Sequence, residues 1–304
     1  MSVDLMLDIP VEDKAWGHAM TVDADGLDLH YVQMGLGEPR VLLLHGWPGF
    51  WYDWRRMLPL VAQFASVVAL DLRGFGFSAR PDWPPASAYS AEAQAKNVLT
   101  LLDHLQVERV VLVGYDIGSR VAQTLARQAP ERVQALVLAA PVYPGYGQRP
   151  LEPAAQRERW YQYFHLLPIA EQLIGHDEAT VRIYLSHFYD HWVGNKQAVR
   201  PKEFDEIVKV YAQPDAARGS IAWYRAGGGS GQLALTSGQA TVDPITQPTI
   251  VLWGQDEPIL PAAWGDRLRE YFSDLRDVQF LPGIGHFMPF EAPEVMAEAI
   301  RKVL

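Results

Sequence analysis

The chain has 304 residues, 49% hydrophobic and 20% charged, which fits one large globular domain, or one domain with an insertion, and excludes a disordered chain. A net charge of -10, with no dense Lys/Arg cluster, argues against nucleic acid as a partner. Cysteine is absent, so disulfides, thiolate metal sites and a cysteine nucleophile are excluded, and a reducing cytoplasm is a compatible location.

Met1–Met20 is acidic and interrupted by Pro10, unlike a secretory leader. No apolar run reaches membrane-spanning length, so no stable membrane association is expected. Val41–Leu44, Val67–Leu70, Val110–Val113, Ala135–Ala139 and Thr249–Trp253 are short, rich in Val and Leu, and bounded by turn-forming residues, which predicts buried strands. Between them, Trp54–Phe64, Ala91–Leu105 and Ser119–Gln128 carry apolar positions at helical spacing. Ser90 is a suitable N-cap for the second, with Glu92 in its first turn. The alternation predicts an α/β fold with a mostly parallel central sheet flanked by helices. Ligands on such sheets sit at the carboxyl ends of the strands.

The rhythm breaks after Ala140. From Pro141 to Val242 the sequence is aromatic and mostly helical, and strands return at Ile245–Trp253 and near Val278–Leu281. The predicted organisation is a core of residues 1–140 and 243–304 with a helical cap, 141–242, inserted between them. Gly227–Gly231 is predicted to be a loop within the cap.

The segment Val110-Val-Leu-Val-Gly-Tyr-Asp116-Ile-Gly-Ser-Arg120 runs from an apolar strand through G-x-D-x-G directly into a helix. It resembles the nucleophile elbow of the α/β-hydrolase fold, with Asp116 where many members carry Ser. The turn would hold the carboxylate at a helix N-terminus, whose dipole favours negative charge. His45-Gly-Trp47-Pro-Gly49 resembles the H-G-x-P segment of epoxide hydrolases and related dehalogenases. That resemblance implies an oxyanion hole made by the backbone N–H groups of Trp47 and Ile117. The His45 side chain is read as a structural hydrogen bonder. Asp71-Leu-Arg-Gly-Phe-Gly-Phe-Ser78 resembles the D-x-R-G-x-G-x-S segment of the same family and is read as structural, with tight turns and a buried ion pair.

Trp253-Gly-Gln-Asp256-Glu257-Pro258 follows one late strand and Gly283-Ile-Gly-His286-Phe287 the last. The order Asp116, Asp256, His286 is the nucleophile–acid–histidine order of α/β-hydrolases. Asp256 would orient the His286 imidazole. Glu257, its neighbour, stays open as an alternative, although Asp256 fits the family spacing better. No carboxylate follows Ala139–Ala140, so the acid position used by some dehalogenases is empty. His187 and His191 stand four apart, but no third ligand is evident, and neither metal nor cofactor is expected.

An aspartate attacking an acyl carbon would leave an unfavourable anhydride. At saturated carbon it leaves an alkyl ester. The substrate therefore needs a strained ring or a good leaving group, and water activated by His286 would then cleave the ester. An epoxide leaves as an alkoxide and calls for a proton donor, whereas a halide calls only for N–H groups. Trp160-Tyr161-Gln-Tyr163-Phe-His165 resembles the W-Y-x-x-F-H-Q stretch of epoxide hydrolases, with Leu166 replacing the Gln, and Ile221-Ala-Trp-Tyr224-Arg225 resembles their N-W-Y-R stretch. The resemblance implies that Tyr161 and Tyr224 donate to the epoxide oxygen, with Tyr163 as a substitute for Tyr161. A small apolar epoxide and water are the expected partners, and a homo-oligomer is compatible with the sequence.

The first alternative is a haloalkane or haloacetate dehalogenase on the same scaffold. Ile117 stands where those families carry Trp or Arg, while Arg120 matches an arginine of the haloacetate group; a helix-surface or ion-pairing role for Arg120 is simpler. A non-catalytic ligand receptor is the second alternative. Trp47, Phe50, Trp51, Tyr143 and Phe287 flank the catalytic segments and are the expected lining of an apolar pocket.

Overall fold

A computed structural model describes residues 18–23, 26–236 and 242–304. Most of Met1–Met20, and residues 237–241 at the end of the expected cap, lie outside the described residues. The strands are β1 (His18–Asp23), β2 (Asp28–Met34), β3 (Val41–Leu44), β4 (Val67–Leu70), β5 (Val110–Tyr115), β6 (Val133–Ala139), β7 (Thr249–Gly254) and β8 (Leu275–Leu281). They form one sheet in the order β1-β2-β4-β3-β5-β6-β7-β8. β1 pairs antiparallel with β2, and β2 with β4. Every other neighbour is parallel.

Burial explains the strand sequences. β3, β4, β5 and β7 are buried at every position, as parallel strands covered on both faces must be. β2 lies towards one edge and mixes buried Leu29, Tyr31 and Val32 with polar neighbours. Because β3, β5, β7 and β8 run in parallel, the segments following them all emerge at one end of the sheet. His45–Gly49, Asp116, Glu257 and His286 meet there.

Helices cover the sheet. Ser90 accepts a hydrogen bond from Ala93 N at 3.3 Å and caps the helix Ala91–His104. The expected helix Trp54–Phe64 is shorter, Met57–Val61, and follows a one-turn 3-10 helix, Trp51–Trp54. All four residues of that turn are buried. The Trp51 N–H donates to Asp71 Oδ1 at 2.6 Å, which fixes the turn before the helix begins. Asp71 also accepts from Phe77 N at 2.9 Å and pairs with His30 Nδ1 at 2.7 Å. Arg73 instead bonds Ala88 O and Asn97 Oδ1. Asp71 is therefore held by a hydrogen bond to His30 and by backbone N–H groups, not by the ion pair with Arg73 expected in this segment.

Between β6 and β7 the chain forms a helical insert containing Pro153–Glu158, Trp160–Phe164, Ile169–Ile174, Glu178–His191, Pro201–Tyr211, Ala216–Arg225 and Ser230–Thr236. The last of these begins inside the predicted Gly227–Gly231 loop, which ends at Gly229. Asp177 caps Glu178–His191 through Thr180 N at 2.8 Å. The insert is clasped to the core where Glu203 accepts from Arg55 Nε at 3.0 Å and from Arg56 Nη2 at 2.9 Å. No helix among the described residues is long and apolar enough to cross a membrane.

Candidate active site

Asp116 closes β5 and opens the helix Asp116–Gln128. Its backbone sits at φ 48°, a left-handed conformation unfavourable for a non-glycine residue and persistent only when the surroundings enforce it. They do so here. A Cβ at Gly118 would collide with the Leu44 and His45 carbonyls, and one at Gly114 would stand 2.7 Å from Gly118. Only glycine lets β3, β5 and the helix approach this closely. Ser119 Oγ donates to Asp116 O at 2.6 Å and accepts from Val142 N at 3.1 Å, tying the corner to the segment after β6.

The Trp47 N–H donates to Asp116 Oδ1 at 2.9 Å. Burial pushes the Asp116 carboxyl up, against the pull of His286 and of the Trp47 and Ile117 N–H groups. The structure thus gathers the two backbone donors named from the sequence on one carboxylate. The His45 side chain accepts from Leu72 N through Nε2 at 3.0 Å and faces Gly46 O through Nδ1 at 2.8 Å. Burial lowers its pKa to about 4, so it is a neutral structural brace.

His286 is buried in the loop after β8, held by donation of its own N–H to Trp192 O at 2.8 Å. Its Nδ1 bonds Glu257 Oε2 at 2.6 Å. This corrects the choice of Asp256, whose side chain points to solvent. The turn after β7 directs the next residue inward, where Glu257 Oε1 accepts from Ile259 N at 2.9 Å and Leu260 N at 3.2 Å. Burial pulls the imidazole down, but the Glu257 carboxylate, with Asp116 and Glu291 behind it, outweighs this, and the His286 pKa lies above its ordinary value. His286 Nε2 stands 3.9 Å from Asp116 Oδ2, too far for a direct hydrogen bond.

The helical insert lowers two phenols over this corner. Tyr161 and Tyr224 are both buried, their rings 5.6 Å apart and edge to face. The two hydroxyls influence each other's ionisation, and the Asp116 charge bears on both. Burial holds both phenols protonated, far above the ordinary tyrosine pKa. Trp47 stacks on Tyr161 at 5.0 Å and meets Tyr224 edge-on at 5.8 Å. Tyr163 is 44% exposed on the outer side of its helix, so it does not share this position. Gln162, not anticipated from the sequence, donates to the Tyr161 hydroxyl at 3.1 Å.

The cavity over Asp116 is lined by Ile117, Arg120, Gln162, Trp223, Tyr224 and Leu260 among others, and it has room for about one water-sized molecule. Trp47, Phe50, Trp51, Tyr143 and Phe287, expected to line it, are not among its lining residues. Phe50 stacks on Tyr52, and Trp51 meets Tyr52 edge-on. The Tyr143 hydroxyl donates to Trp264 O, and Phe287 stacks on Tyr189. Flanking a catalytic segment in sequence sends these large rings into the core beneath it.

Arg120 is in the cavity wall rather than ion-paired on the surface. Its Nη1 donates to Gly228 O at 3.1 Å, and among the described residues no carboxylate lies within salt-bridge distance. His187 and His191 stack at 5.8 Å, with His191 bonded to Glu158 at 2.7 Å. Among the described residues no cluster of three or more His, Asp or Glu could hold a metal ion.

Residues 39–293 match the alpha/beta hydrolase fold family. Epoxide hydrolase 4 of Mus musculus is 27% identical over 276 residues, covering 89% of this chain and 74% of its own. A fluoroacetate dehalogenase of Burkholderia sp is 31% identical, covering 93% and 92%. The structure of epoxide hydrolase CorEH superposes with a TM-score of 0.79 at 28% identity, covering 94% of this chain and 98% of that one. With its sheet order, its strained strand–helix corner and these relatives, the chain belongs to the alpha/beta hydrolase fold family, in the company of epoxide hydrolases and a fluoroacetate dehalogenase.

Proposed function

We propose that the protein is an epoxide hydrolase acting through a covalent ester on Asp116. The observation that carries this reading is the pair of buried phenols, Tyr161 and Tyr224, packed edge to face on each other and both against Trp47, whose N–H holds the Asp116 carboxylate. Trp47 N–H occupies Oδ1, leaving Oδ2 to attack an epoxide carbon. As the carbon–oxygen bond of the ring breaks, the oxygen gains charge and takes a hydrogen bond, then a proton, from the phenol pair. Their high pKa keeps them protonated, and therefore donors, throughout the working range.

In the second half, His286 Nε2 takes a proton from a water that attacks the Asp116 carboxyl carbon. Glu257 stabilises the resulting imidazolium. Charge builds on the carboxyl oxygen facing the Trp47 and Ile117 N–H groups, and preorganised donors there lower the barrier. The bond between the Asp116 carboxyl carbon and the oxygen carrying the alkyl group then breaks, and the departing oxygen takes the proton from His286. The water's other proton passes from the Asp116 carboxyl to the tyrosinate left by ring opening, and a vicinal diol leaves.

The test is His286→Gln treated with a panel of epoxides. Intact-protein mass spectrometry should show a stable adduct, mapped to Asp116, while the unaltered enzyme releases diol. No adduct and no diol across the panel would overturn the reading.

One observation favours a second reading. Arg120 lines the cavity with no carboxylate in salt-bridge distance among the described residues, Glu92 acting on it only from farther away, so a substrate bearing its own carboxylate could pair with it. Together with the relative named fluoroacetate dehalogenase, this supports halide displacement from a small haloacid by the same Asp116. Halide release from fluoroacetate without diol from any epoxide would establish it.

A further inference from the structure

A second carboxyl is buried beneath the nucleophile, and the chemistry above does not use it. Asp53 is fully buried in the Trp51–Trp54 turn, directly after the loop that carries the Trp47 N–H. Its Oδ2 accepts the Tyr115 hydroxyl at 2.5 Å, and Tyr115 immediately precedes Asp116. Its Oδ1 has no hydrogen-bond partner among the described residues. The nearest cation, Arg55, is engaged by Glu203 at 3.0 Å. The other titratable groups facing Asp53 bring no positive charge: Asp71 after β4, Tyr115 at the end of β5, and Tyr189 and Tyr211 from the insert. Those last two hydroxyls donate to Pro48 O and Gly49 O, on the same loop.

The pair grips the reactive corner from below. The Tyr115 ring lies against Gly46, where an added Cβ would meet Cε2 at 2.5 Å and the Asp116 Cβ at 2.8 Å. The Asp53 carboxylate lies so close to Gly49 that no side chain fits there. The Tyr115–Asp53 bond therefore spans the underside of Gly46–Gly49, joining the strand end that bears the nucleophile to the turn that ends the loop. Tyr115 also meets His286 edge-on at 5.8 Å.

We infer that Asp53 is a positioning residue: its bond to Tyr115 fixes the Gly46–Gly49 loop on the nucleophile corner and keeps the Trp47 N–H aimed at Asp116 Oδ1. The bond joins neutral partners at ordinary pH. Burial pushes the Asp53 carboxyl up to about 8, with the Tyr115 hydrogen bond and Arg55 pulling the other way. Above that pH a charge appears in a buried site where the Tyr115 hydroxyl, the Phe50 N–H and the Glu203-engaged Arg55 only partly offset it, and the loop loosens. The Trp47 N–H carries most charge during ester hydrolysis, so that step depends on the strut more than ester formation does.

The kinetic part of this inference rests on the Asp116-ester reading, and the structural part does not. Hydrogen–deuterium exchange over the peptide His45–Trp54, corrected for intrinsic rates, is measured from pH 6 to 9.5 without substrate. Asp53→Ala and Tyr115→Phe should speed exchange there about tenfold, the loss of one buried hydrogen bond, leaving strands β6 and β7 protected. Asp53→Asn, which keeps an acceptor for Tyr115, should lose much less. The unaltered protein should loosen in this segment above about pH 8 and Asp53→Asn should not. Unchanged exchange in both Asp53→Ala and Tyr115→Phe, or equal loosening across the whole chain, would overturn the inference.

Single-turnover kinetics with styrene oxide or fluoroacetate should then show ester hydrolysis slowed about a hundredfold in Asp53→Ala, within the range for a lost oxyanion donor, and ester formation slowed less than tenfold. Equal slowing of both steps would count against the positioning role. If the unaltered protein forms no ester with either compound, the chemical reading falls, and the exchange result alone decides the strut.

Discussion

Glu257 Oε2 lies 2.6 Å from His286 Nδ1, and the opposite ring nitrogen stands 3.9 Å from Asp116 Oδ2. The first bond puts the proton of the neutral ring on Nδ1 and leaves the Nε2 lone pair on the nucleophile's side. Ester hydrolysis needs that neutral ring, so its rate should rise with pH through a His286 pKa held above 6.5 by Glu257. Glu257→Gln removes the charge that raises this pKa. The acidic limb of the pH–rate profile should move to lower pH, and kcat should fall by about 10³–10⁴ as the preferred tautomer is lost. Asp256→Asn, on an exposed side chain, should stay within about twofold. A normal limb in Glu257→Gln with a collapsed rate in Asp256→Asn would contradict the geometry.

The roof of the cavity separates the two chemistries. Tyr224→Phe and Tyr161→Phe each remove one of the two buried phenol hydroxyls, and each should slow epoxide opening by about 10². The double variant should lose far more than either alone, because one phenol partly replaces the other. Ester hydrolysis should hardly change. Arg120→Gln should leave neutral epoxides nearly unaffected and should abolish turnover of any substrate bearing a carboxylate. Rapid-quench measurement of adduct formation on styrene oxide and fluoroacetate, side by side, gives the answer. Loss of fluoride release in Arg120→Gln with full activity in both tyrosine variants would favour the halide reading.

Much of this site could be read before any coordinates, for identifiable reasons. Strands β3, β4, β5 and β7 are buried at every position, and with the Ala135–Ala139 part of β6 they announce themselves as apolar runs. β1 and β2 escaped because an antiparallel edge mixes polar and apolar residues, as in Asp28–Met34. Asp116 and His286 were legible because glycines must flank such a tight corner or loop. Asp256 and Glu257 could not be separated, since one step along a turn reverses the side chain and only the Ile259 and Leu260 N–H groups decide which faces inward. The cavity walls were hidden for a different reason. Gln162, Trp223 and Leu260 come from three distant segments, whereas the aromatic neighbours of the catalytic residues were needed for the core. The Asp53–Tyr115 bond spans 62 positions and has no local signal.

The corner itself should be intolerant of a single methyl group. At Gly118 an added Cβ would overlap the Leu44 carbonyl, which is strand backbone and cannot rotate away. Gly118→Ala must therefore displace the elbow helix or β3. The cost should be about 1–3 kcal/mol, typical of overpacking. More tellingly, a displacement of about 1 Å at Asp116 should reduce turnover by about a hundredfold. Thermal denaturation and steady-state kinetics on the purified variant provide the check. Full activity with an unchanged melting temperature would mean that the close approach at Gly118 is not required.

The clasp between core and insert should respond to acid. Glu203 is fully buried and accepts from Arg55, Arg56 and the Arg200 N–H. Burial pushes its carboxyl up, but the two guanidinium groups override this, and its pKa lies below the ordinary 4.5. A carboxyl depressed in the folded state contributes stability above its unfolded pKa and loses it as pH falls through the folded one. Glu203→Gln leaves Arg55 buried without its counter-charge, a loss of about 3–5 kcal/mol at neutral pH. The melting-temperature gap between the unaltered protein and Glu203→Gln should therefore be widest near pH 7. It should narrow below about pH 4.5, where protonation of Glu203 brings the unaltered protein to the same state. A gap that persists undiminished in acid would assign the loss to packing rather than to charge.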